Sequence, residues 1–424
     1  MDLSAGALQQ INTFVHCGLC LPACPTYREL GNEADSPRGR IHLIRNLVSG
    51  VLDPTDSVVA HLDLCLDCRN CEPACPSGVK YGRIIEDARF HLEGTRRRGA
   101  LERTLRRVLF RGILPHPGRL RKVARTIRLS QRLHLDRLAI KAHLLPGPLA
   151  AMAAVATLPD VFGREHLPEV IPAQGKQRYR VGLLTGCIMD VLYGPTNLAC
   201  VRVLAANGCE VVIPPAQTCC GALQHHAGDI ETTRHLARQN IDAFLAAGVD
   251  FIITNSAGCG STLKEYHHLL TADPVYREKA HQFVSRTRDI TEFLADIDLV
   301  PPGRAVPVRV TYQDPCHLAN GQGVRLQPRK LLQAIPGLEL RELPESDQCC
   351  GSAGIYNLVQ PEMSMALLDK KMSHAAGTGA AIIATANPGC MLQLKLGAQR
   401  RGLAVEVVHV VDLLDRAYGG PEEG

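Results

Sequence analysis

Two cysteine runs near the N-terminus constrain this chain more than any other feature of its sequence. The second run has the spacing C-x2-C-x2-C-x3-C-P and contains Cys65, Cys68, Cys71 and Cys75. This spacing is typical of loops that hold cubane iron–sulfur clusters, because three thiolates on one tight loop bind three corners of a cluster while the fourth reaches the neighbouring cluster. The run therefore predicts a role in electron transfer.

A near-copy of this run lies upstream, so the two runs form one unit with two clusters. The copy contains Cys17, Cys20 and Cys24 and also ends in a Cys-Pro pair. In such paired runs, the last cysteine of each run binds the cluster held by the other run. One cluster is therefore assigned to Cys65, Cys68, Cys71 and Cys24. The other cluster takes Cys17, Cys20 and Cys75, and it is one ligand short because Phe14 stands where the pattern requires a cysteine.

The ligand deficit predicts that one of the two clusters is atypical. Three thiolates suit either a 3Fe-4S cluster or a 4Fe-4S cluster whose last corner is held by water or by a nearby side chain such as His16. Zinc is the alternative for C-x2-C pairs, but zinc usually takes two such pairs and not seven cysteines in two triplet-based runs. We therefore expect one fully ligated 4Fe-4S cluster and one atypical cluster.

The length and the cysteine content favour a cytoplasmic protein of two or three units. A chain of 424 residues, 46% of them apolar, can bury more than one core. Of its seventeen cysteines, an odd number, fifteen fall in metal-type patterns, which favours a reducing cytosol over a disulfide framework. Residues 1–14 carry no basic leader, and the apolar stretch 144–158 is broken by prolines and a glycine, so we expect no secretory signal and no membrane span.

Positive charge is concentrated in one segment. The net charge is +5, but residues 95–143 contain fifteen Lys and Arg against Glu102 and Asp136, so this segment carries +13 and the remainder −8. Apolar residues recur among the arginines at three- and four-residue spacing, which predicts amphipathic helices interrupted near Pro115 and Pro117. Such helices suit an anionic membrane surface or an acidic subunit, or they form a solvated linker. Nucleic acid is not expected, because aromatic residues make up only 4% of the chain.

The second half of the chain contains one pattern twice. Each copy has a β-type run that leads to a cysteine, then a Cys-Cys-Gly triplet, then a second strand that leads to another cysteine. The cysteines are Cys187, Cys219, Cys220 and Cys259 in the first copy and Cys316, Cys349, Cys350 and Cys390 in the second. The first, second and last of these cysteines lie 129, 130 and 131 residues before their counterparts in the second copy. Such near-constant offsets indicate duplication.

Each copy predicts a small α/β unit with a parallel sheet, because helical stretches at 230–247 and 361–376 alternate with the strands. We expect Cys187 and Cys259 to end strands, at the sheet edge where such folds bind ligands. Four converging thiolates, two of them adjacent, favour a multinuclear cluster with bridging thiolates; the alternatives are a structural zinc ion or burial as small apolar side chains. We interpret Cys200 and Cys209 as buried apolar side chains, because they lie outside the repeated cysteine pattern.

Two ferredoxin-type runs followed by two such repeats resemble the cysteine-rich-domain family. This family includes heterodisulfide reductase subunits, the anchor subunit of anaerobic glycerol-3-phosphate dehydrogenase, lactate-utilisation proteins and the iron–sulfur subunits of glycolate oxidase. The last branch is the most similar, through Val-His-Cys-Gly-Leu-Cys at 15–20, Ser-Pro-Arg-Gly-Arg-Ile at 36–41, Cys-Arg-Asn-Cys at 68–71 and Cys-Cys-Gly-Ser-Ala-Gly-Ile-Tyr-Asn at 349–357. The resemblance covers nearly the whole chain.

The resemblance implies an electron-transfer subunit of a glycolate dehydrogenase complex. Such a subunit takes electrons from an FAD-containing partner that oxidises glycolate to glyoxylate, and passes them towards a respiratory quinone or another membrane carrier. No flavin fingerprint and no phosphate-binding Gly-rich loop follows a strand, so we expect substrate oxidation on the partner chain. The alternatives are the iron–sulfur subunit of a lactate or glycerol-3-phosphate dehydrogenase, and a disulfide reductase of the heterodisulfide-reductase type.

The chain departs from the heterodisulfide-reductase branch at two positions. Ser256 and Asn387 stand where that branch has cysteine and where a C-x2-C pair closes the site for disulfide reduction. Similar non-cysteine residues occur in the glycolate branch, so the resemblance favours electron relay over disulfide chemistry.

Taken together, the patterns predict an α + α/β fold. We expect a helical two-cluster ferredoxin-type domain at 1–94, a basic helical linker at 95–176, and two cysteine-rich α/β repeats at 177–303 and 304–424. We place the protein in the cytoplasm, either soluble or peripheral on the inner face of the cell membrane.

Overall fold

The structure is a computed structural model that describes residues 1, 3–95 and 99–421. A helical N-terminal unit is followed by a helical linker and by two α/β units, each built on its own sheet. The fold class predicted from the sequence is therefore confirmed. The boundaries drawn at 94, 176 and 303 stay a prediction.

Capping side chains and prolines set the starts of the short helices in the N-terminal unit. Ser4, Ser36 and Thr55 each accept a hydrogen bond from a backbone N–H in the first turn of the helix that follows, which satisfies a group that the helix cannot pair internally. The helices are Ala5–Thr13, Pro25–Leu30, Pro37–Val48, Asp56–Asp63 and Tyr81–Thr95, with a 3-10 turn at Glu33–Asp35. Their apolar sides enclose a core centred on Ile44, Leu62 and Ile84, so the cysteine loops are carried on a packed helical frame.

The linker forms the helices expected from its apolar spacing. They are Ala100–Arg107, a π-helical stretch at Val108–Ile113, Pro117–Arg132, Leu135–Lys141 and Gly147–Val155. The predicted break is present, because the π-helical stretch ends at Ile113 and a new helix begins at Pro117, where a proline fits the first turn. Arg96, Arg97 and Arg98 of the basic segment lie outside the described residues.

Part of the basic charge of the linker is matched by acidic side chains of the same chain. Arg111 lies 2.9 Å from Asp229, and Arg125 lies 2.6 Å from Glu165. Arg106, Arg121 and Arg132 also contact carboxylates. By contrast, many apolar side chains of the linker face solvent: Leu101, Leu105, Leu109, Ile127, Leu133, Leu135, Leu138 and Leu144.

The first α/β unit is built on a five-stranded sheet in the order β1-β3-β2-β4-β5. The strands are β1 Val170–Ile171, β2 Tyr179–Leu184, β3 Cys209–Val212, β4 Phe251–Thr254 and β5 Thr287–Asp289. Only β1 runs antiparallel, against β3. The helices are Ile188–Leu192, Gly194–Ala206, Ala222–His226, Ile230–Ala246, Ala257–Lys264, Tyr266–Leu269, Arg277–Arg286 and Ile290–Asp296, with a 3-10 turn at Gly163–His166 before β1.

The second α/β unit has a four-stranded parallel sheet in the order β7-β6-β8-β9. The strands are β6 Arg309–Tyr312, β7 Glu339–Glu342, β8 Ile382–Thr385 and β9 Glu406–His409. The helices are Cys316–Ala319, Gln327–Gln333, Tyr356–Val359, Pro361–Gly377, Pro388–Arg401 and Val410–Ala417. Without β1, the first sheet has the same order and direction, which agrees with the duplication indicated by the cysteine offsets.

The two repeats share one hydrophobic core and pack reciprocally. Helix 194–206 of the first repeat contacts 410–417 of the second, and 327–333 of the second contacts 290–296 of the first. These are corresponding elements with exchanged roles, as expected for a pseudo-twofold pair. Arg202 bonds Asp415 with both arms of its guanidinium across this interface, at 2.9 and 2.6 Å.

None of the helices formed by the described residues is both long and apolar enough to cross a bilayer.

The shared core predicts that the two repeats unfold together. Leu413 is fully buried in this core, so Leu413→Ala should lower the free energy of unfolding by about 2–5 kcal/mol in a single urea transition followed by far-UV circular dichroism. Leu326→Ala, at an exposed position, is the control and should change it little. Two separate transitions, of which only one moves, would contradict a shared core.

Candidate metal centres

The structure brings together the four cysteines predicted to bind the fully ligated cluster. Cys24, Cys65, Cys68 and Cys71 all line one small cavity, and all four are buried. Asp67 and Arg69, between the cysteines of the second run, have φ of 52° and 57°. This left-handed backbone conformation is one that side chains adopt rarely, and its recurrence marks the tight winding of the loop.

Polar groups around this cavity fit an anionic cluster. The buried guanidinium of Arg40 donates to Thr26 Oγ1 at 3.1 Å and to the His61 carbonyl at 2.7 Å. The Tyr81 hydroxyl lies 3.7 Å from Cys65 Sγ, and the Asp67 N–H donates to the same sulfur at 3.4 Å. Hydrogen bonds to the sulfurs and nearby charge are the features by which proteins hold and tune such clusters, so these residues fit a 4Fe-4S cluster.

The cysteines of the atypical set are less enclosed. Cys17 is exposed, Cys20 is buried and Cys75 is half-buried, and burial raises the pKa of Cys20 to about 11. Phe14 packs against the N-terminal core, with its ring centroid 4.3 Å from that of His16. The cysteine set that is one ligand short therefore lies near the protein surface, and His16 is close to the position of the missing cysteine.

The cysteines of the first repeat converge in two pairs. The Sγ atoms of Cys187 and Cys219 are 3.6 Å apart, and those of Cys220 and Cys259 are 3.1 Å apart. The contacts with the Cys187 thiol and then with the Cys220 thiol hold the pKa of Cys219 well below its usual range. This favours a thiolate, which is the form that binds metal. The adjacent cysteines thus face different partners, as a multinuclear site would require.

The second repeat pairs its cysteines in the same order, but its low-pKa thiols occupy other positions than in the first repeat. A hydrogen bond from Cys349 lowers the pKa of Cys316, and bonds from Cys349 and then Cys390 lower the pKa of Cys350. Gly221 and Gly351, which end the two Cys-Cys-Gly triplets, have φ of 85° and 88° and donate to Cys219 and Cys349 respectively at 3.4 Å. A side chain at Gly351 would also meet the Ser364 carbonyl oxygen at 2.4 Å, so the triplet requires glycine on two counts.

The prediction that Cys187 and Cys259 end strands is wrong. Strand β2 ends at Leu184, so Cys187 lies in the following loop, and β4 ends at Thr254, so Cys259 lies inside helix 257–264. Sheet pairing stops before the cysteines because the chain turns there into helices. The cysteines still gather beyond the carboxyl ends of the strands. Cys200 and Cys209 are fully buried in the shared core, which confirms their interpretation as apolar side chains.

The fully ligated set lies against the second repeat. Cys68 and Cys349 belong to one small apolar cluster, together with Leu66 and Tyr356, and Cys316 packs at its edge. Burial and then the neighbouring Cys316 thiol raise the pKa of Cys68. Asn320 donates to the Cys68 carbonyl at 3.0 Å, so the cluster loop and the second quartet are held in direct contact.

A buried cluster of charged and polar side chains lies at the junction of the N-terminal unit and both repeats. The sequence patterns did not predict it. Arg69 is its centre: it donates to Glu86 at 2.8 Å and contacts Glu265 of the first repeat with a second bond at 3.2 Å. The remaining members are Asp67, His225, His226 and His317. The adjacent histidines His225 and His226 end the short helix that follows the first Cys-Cys-Gly triplet. They were the signal from which sequence analysis could have found this cluster.

Comparisons with known proteins agree with this architecture. The "4Fe-4S dicluster domain" family matches residues 15–79, the "Glycolate oxidase iron-sulfur subunit, linker region" family matches 101–156, and the "Cysteine-rich domain" family matches 181–264 and 310–395. The chain is 46% identical over 416 residues to a probable glycolate oxidase iron–sulfur subunit of Bacillus subtilis (strain 168), covering 96% of this chain and 93% of that one.

More distant relatives match the same units. The glycolate oxidase iron–sulfur subunit of Escherichia coli (strain K12) is 33% identical over 407 residues, covering 95% of this chain and 93% of that one. One of the subunits of a fumarate reductase (CoM/CoB) from Methanothermobacter marburgensis is 38% identical over 278 residues, 64% of this chain and 54% of that one. Lactate utilization protein A of Oceanobacillus iheyensis is 32% identical over 237 residues, 56% of this chain and 96% of that one.

Identity at this level over nearly the whole length of two relatives, with the family-specific linker matched between the cluster loops and the cysteine-rich repeats, shows that this chain belongs to the glycolate oxidase iron–sulfur subunit family of oxidoreductase subunits.

Proposed function

We propose that this chain is the electron-transfer subunit of a glycolate dehydrogenase complex. An FAD-containing partner oxidises glycolate to glyoxylate, and this chain carries the electrons towards a respiratory quinone or another membrane carrier. Iron–sulfur clusters supply this chemistry because they accept and release single electrons. The residues of this chain hold, insulate and align the clusters.

The contact between Cys68 and the second repeat is the observation that carries the proposal. The buried quartet of Cys24, Cys65, Cys68 and Cys71 abuts the quartet of Cys316, Cys349, Cys350 and Cys390 through the small apolar cluster around Cys68 and Cys349. Asn320 and Tyr356 fix this contact, since Tyr356 also donates to the Leu64 carbonyl at 2.8 Å. Two thiol-lined sites in van der Waals contact suit a relay.

The exposed side of the atypical set suits the entry of electrons from a partner. Cys17 lies at the surface, and its neighbours Val15 and Leu19 are also exposed, with 62% and 58% of their surface accessible. An apolar rim around a cluster is the kind of surface that a protein partner covers. We place the contact with the flavin-containing subunit here.

Ser256 and Asn387 support relay over disulfide reduction. Asn387 Oδ1 accepts hydrogen bonds from Ser256 Oγ at 3.5 Å and from the Gly258 N–H at 3.1 Å, while its Nδ2 donates to Cys390 Sγ at 3.4 Å. The two positions link the repeats to each other at their cysteine sites. A second thiol pair, which disulfide chemistry would need, is replaced by this amide bridge.

We further propose that the linker docks the complex on the anionic inner face of the cell membrane. Its exposed leucines and its arginines occur on the same helices, a combination that suits the headgroup region of a bilayer. Basic residues near such a surface each contribute on the order of 1 kcal/mol at low salt.

Cys71→Ser should stop electron delivery while sparing substrate oxidation. The change removes a ligand of the fully ligated set, so quinone reduction by the purified complex should fall to background, while glycolate still reduces the flavin in stopped-flow absorbance. Cys209→Ser, at a buried cysteine outside every quartet, is the matched control and should reduce quinone as the unmodified chain does. If glycolate no longer reduces the flavin in the Cys71 variant, this chain contributes to the substrate site and the proposal fails.

Phe14→Cys should convert the atypical cluster into a fully ligated one. The new thiol stands at the position that the motif reserves for a ligand, so the electron paramagnetic resonance signal of an oxidised 3Fe or labile centre should disappear. Phe14→Ala, which removes the ring and supplies no thiol, should keep that signal. Two identical 4Fe signals from the reduced unmodified chain would contradict the prediction, because the second cluster would then be complete without a thiol at position 14.

Leu101→Ser combined with Leu105→Ser and Leu109→Ser should weaken membrane binding. All three leucines are exposed, so folding should be unaffected, and less protein should sediment with anionic vesicles. Raising the salt from about 0.05 to 0.5 M should weaken binding further, because the Debye length shortens several-fold. Equal sedimentation of this variant and of the exposed-site control Leu326→Ser would assign the linker surface to a subunit contact or to solvent.

A further inference from the structure

Three potential metal ligands from three different units meet beside the cysteine sites. Asp67 lies on the cluster loop between Cys65 and Cys68, His226 is the last residue of helix 222–226 in the first repeat, and His317 is the second residue of helix 316–319 in the second repeat. One ligand atom of each lies within 4.8 Å of the others. Their meeting therefore depends on the assembly of the whole chain.

Four polar atoms of this group, the two Asp67 carboxylate oxygens, His226 Nδ1 and His317 Nε2, lack hydrogen-bond partners among the described residues. Asp67 is 2% exposed, and among the described residues neither of its carboxylate oxygens has a hydrogen-bond partner. His226 Nδ1 is 3.3 Å from one oxygen without forming a hydrogen bond, and Arg69 Nε is 3.8 Å from the other, beyond hydrogen-bond distance. A buried carboxylate without hydrogen bonds is costly. A bound cation would remove this cost.

The charges around the group also call for a cation. Asp67, Glu86 and Glu265 are three carboxylates packed around one guanidinium, that of Arg69. Arg69 bonds Glu86 and Glu265 directly but lies 3.8 Å from Asp67, so Asp67 shares this guanidinium with two closer acidic side chains. A divalent ion would supply further positive charge beside the Asp67 carboxylate.

Hydrogen bonding orients His317 for ligation. Its Nδ1 lies 3.5 Å from Cys316 Sγ, while its Nε2 is buried and lacks a partner in the described structure. A partner on one ring nitrogen fixes the tautomer and leaves the other nitrogen to the metal. The neighbouring group of Glu86, His225 and Glu265 is a weaker candidate, because Arg69 already pairs with both of its carboxylates.

We propose that Asp67, His226 and His317 bind one divalent transition-metal ion, Zn²⁺ or Fe²⁺, separate from the iron–sulfur clusters. Two imidazoles and one carboxylate form a donor set that these ions accept. The ion ties the cluster loop to both repeats, and so holds the Cys68 loop in register with the Cys316 quartet. This role is structural and goes beyond electron transfer.

His226→Gln is the variant that tests the site, because Asp67 and His317 adjoin cluster cysteines whereas His226 does not. The full chain, purified anaerobically with its partner subunits, is analysed for zinc, iron and acid-labile sulfide. The unmodified chain should hold one zinc or iron ion more than the variant at the same sulfide content. The variant should lose that ion and keep its sulfide.

His225→Gln is the matched control, since His225 is the adjacent residue on the same helix, is also buried, and is not one of the three ligands. It should retain the ion. Equal metal loss in both variants, or loss of sulfide together with the ion, would overturn the assignment, because the junction and not a ligand would then have been disturbed.

Anomalous scattering at the zinc and iron edges from crystals of the unmodified chain decides the question even if the variants fail to fold. A peak between the His226 and His317 imidazoles and the Asp67 carboxylate is expected. Peaks at the cysteine sites alone would overturn the proposal.

Discussion

The hydrophobic core shared by the two repeats determines where every thiol of the second half of the chain lies. Helix 194–206 packs against 410–417, and helix 290–296 packs against 327–333, and these contacts fix the two repeats relative to each other. The carboxyl ends of the strands then point both cysteine quartets towards the junction between the repeats, where Asn387 links them. If this packing were loosened, the sulfur atoms would lose their mutual geometry before any single ligand was removed.

The cluster loop is fastened to this frame by a few specific polar contacts. Asn320 and Tyr356 of the second repeat donate to carbonyl groups of the loop region, and Arg69 reaches Glu265 of the first repeat. Breaking one partner of a buried ion pair leaves the other charge uncompensated and is strongly destabilising. The same contacts that hold the domains together would therefore also keep the proposed electron path at a fixed length.

The sequence predicted the architecture well because its signals were local or periodic. Cysteine spacing located the ferredoxin-type runs, and near-constant offsets between cysteines revealed the repeats. Cys200 and Cys209 lie outside the repeated cysteine pattern, which indicated that they are buried as apolar side chains. The prediction extended two strands as far as Cys187 and Cys259, although both strands end earlier. Sequence patterns do not show where sheet pairing stops. The junction around Arg69 could not be predicted, since its members are up to 250 residues apart and meet only through tertiary packing.

The central claim is that electrons taken from substrate pass through the cysteine sites of this chain. Rapid freezing of the assembled complex after anaerobic mixing with glycolate, without any acceptor, followed by electron paramagnetic resonance, tests it most directly. The account predicts that signals of reduced iron–sulfur clusters appear after flavin reduction and reach the fully ligated site of Cys24, Cys65, Cys68 and Cys71. A flavin that becomes reduced while every cluster of this chain stays oxidised would contradict it.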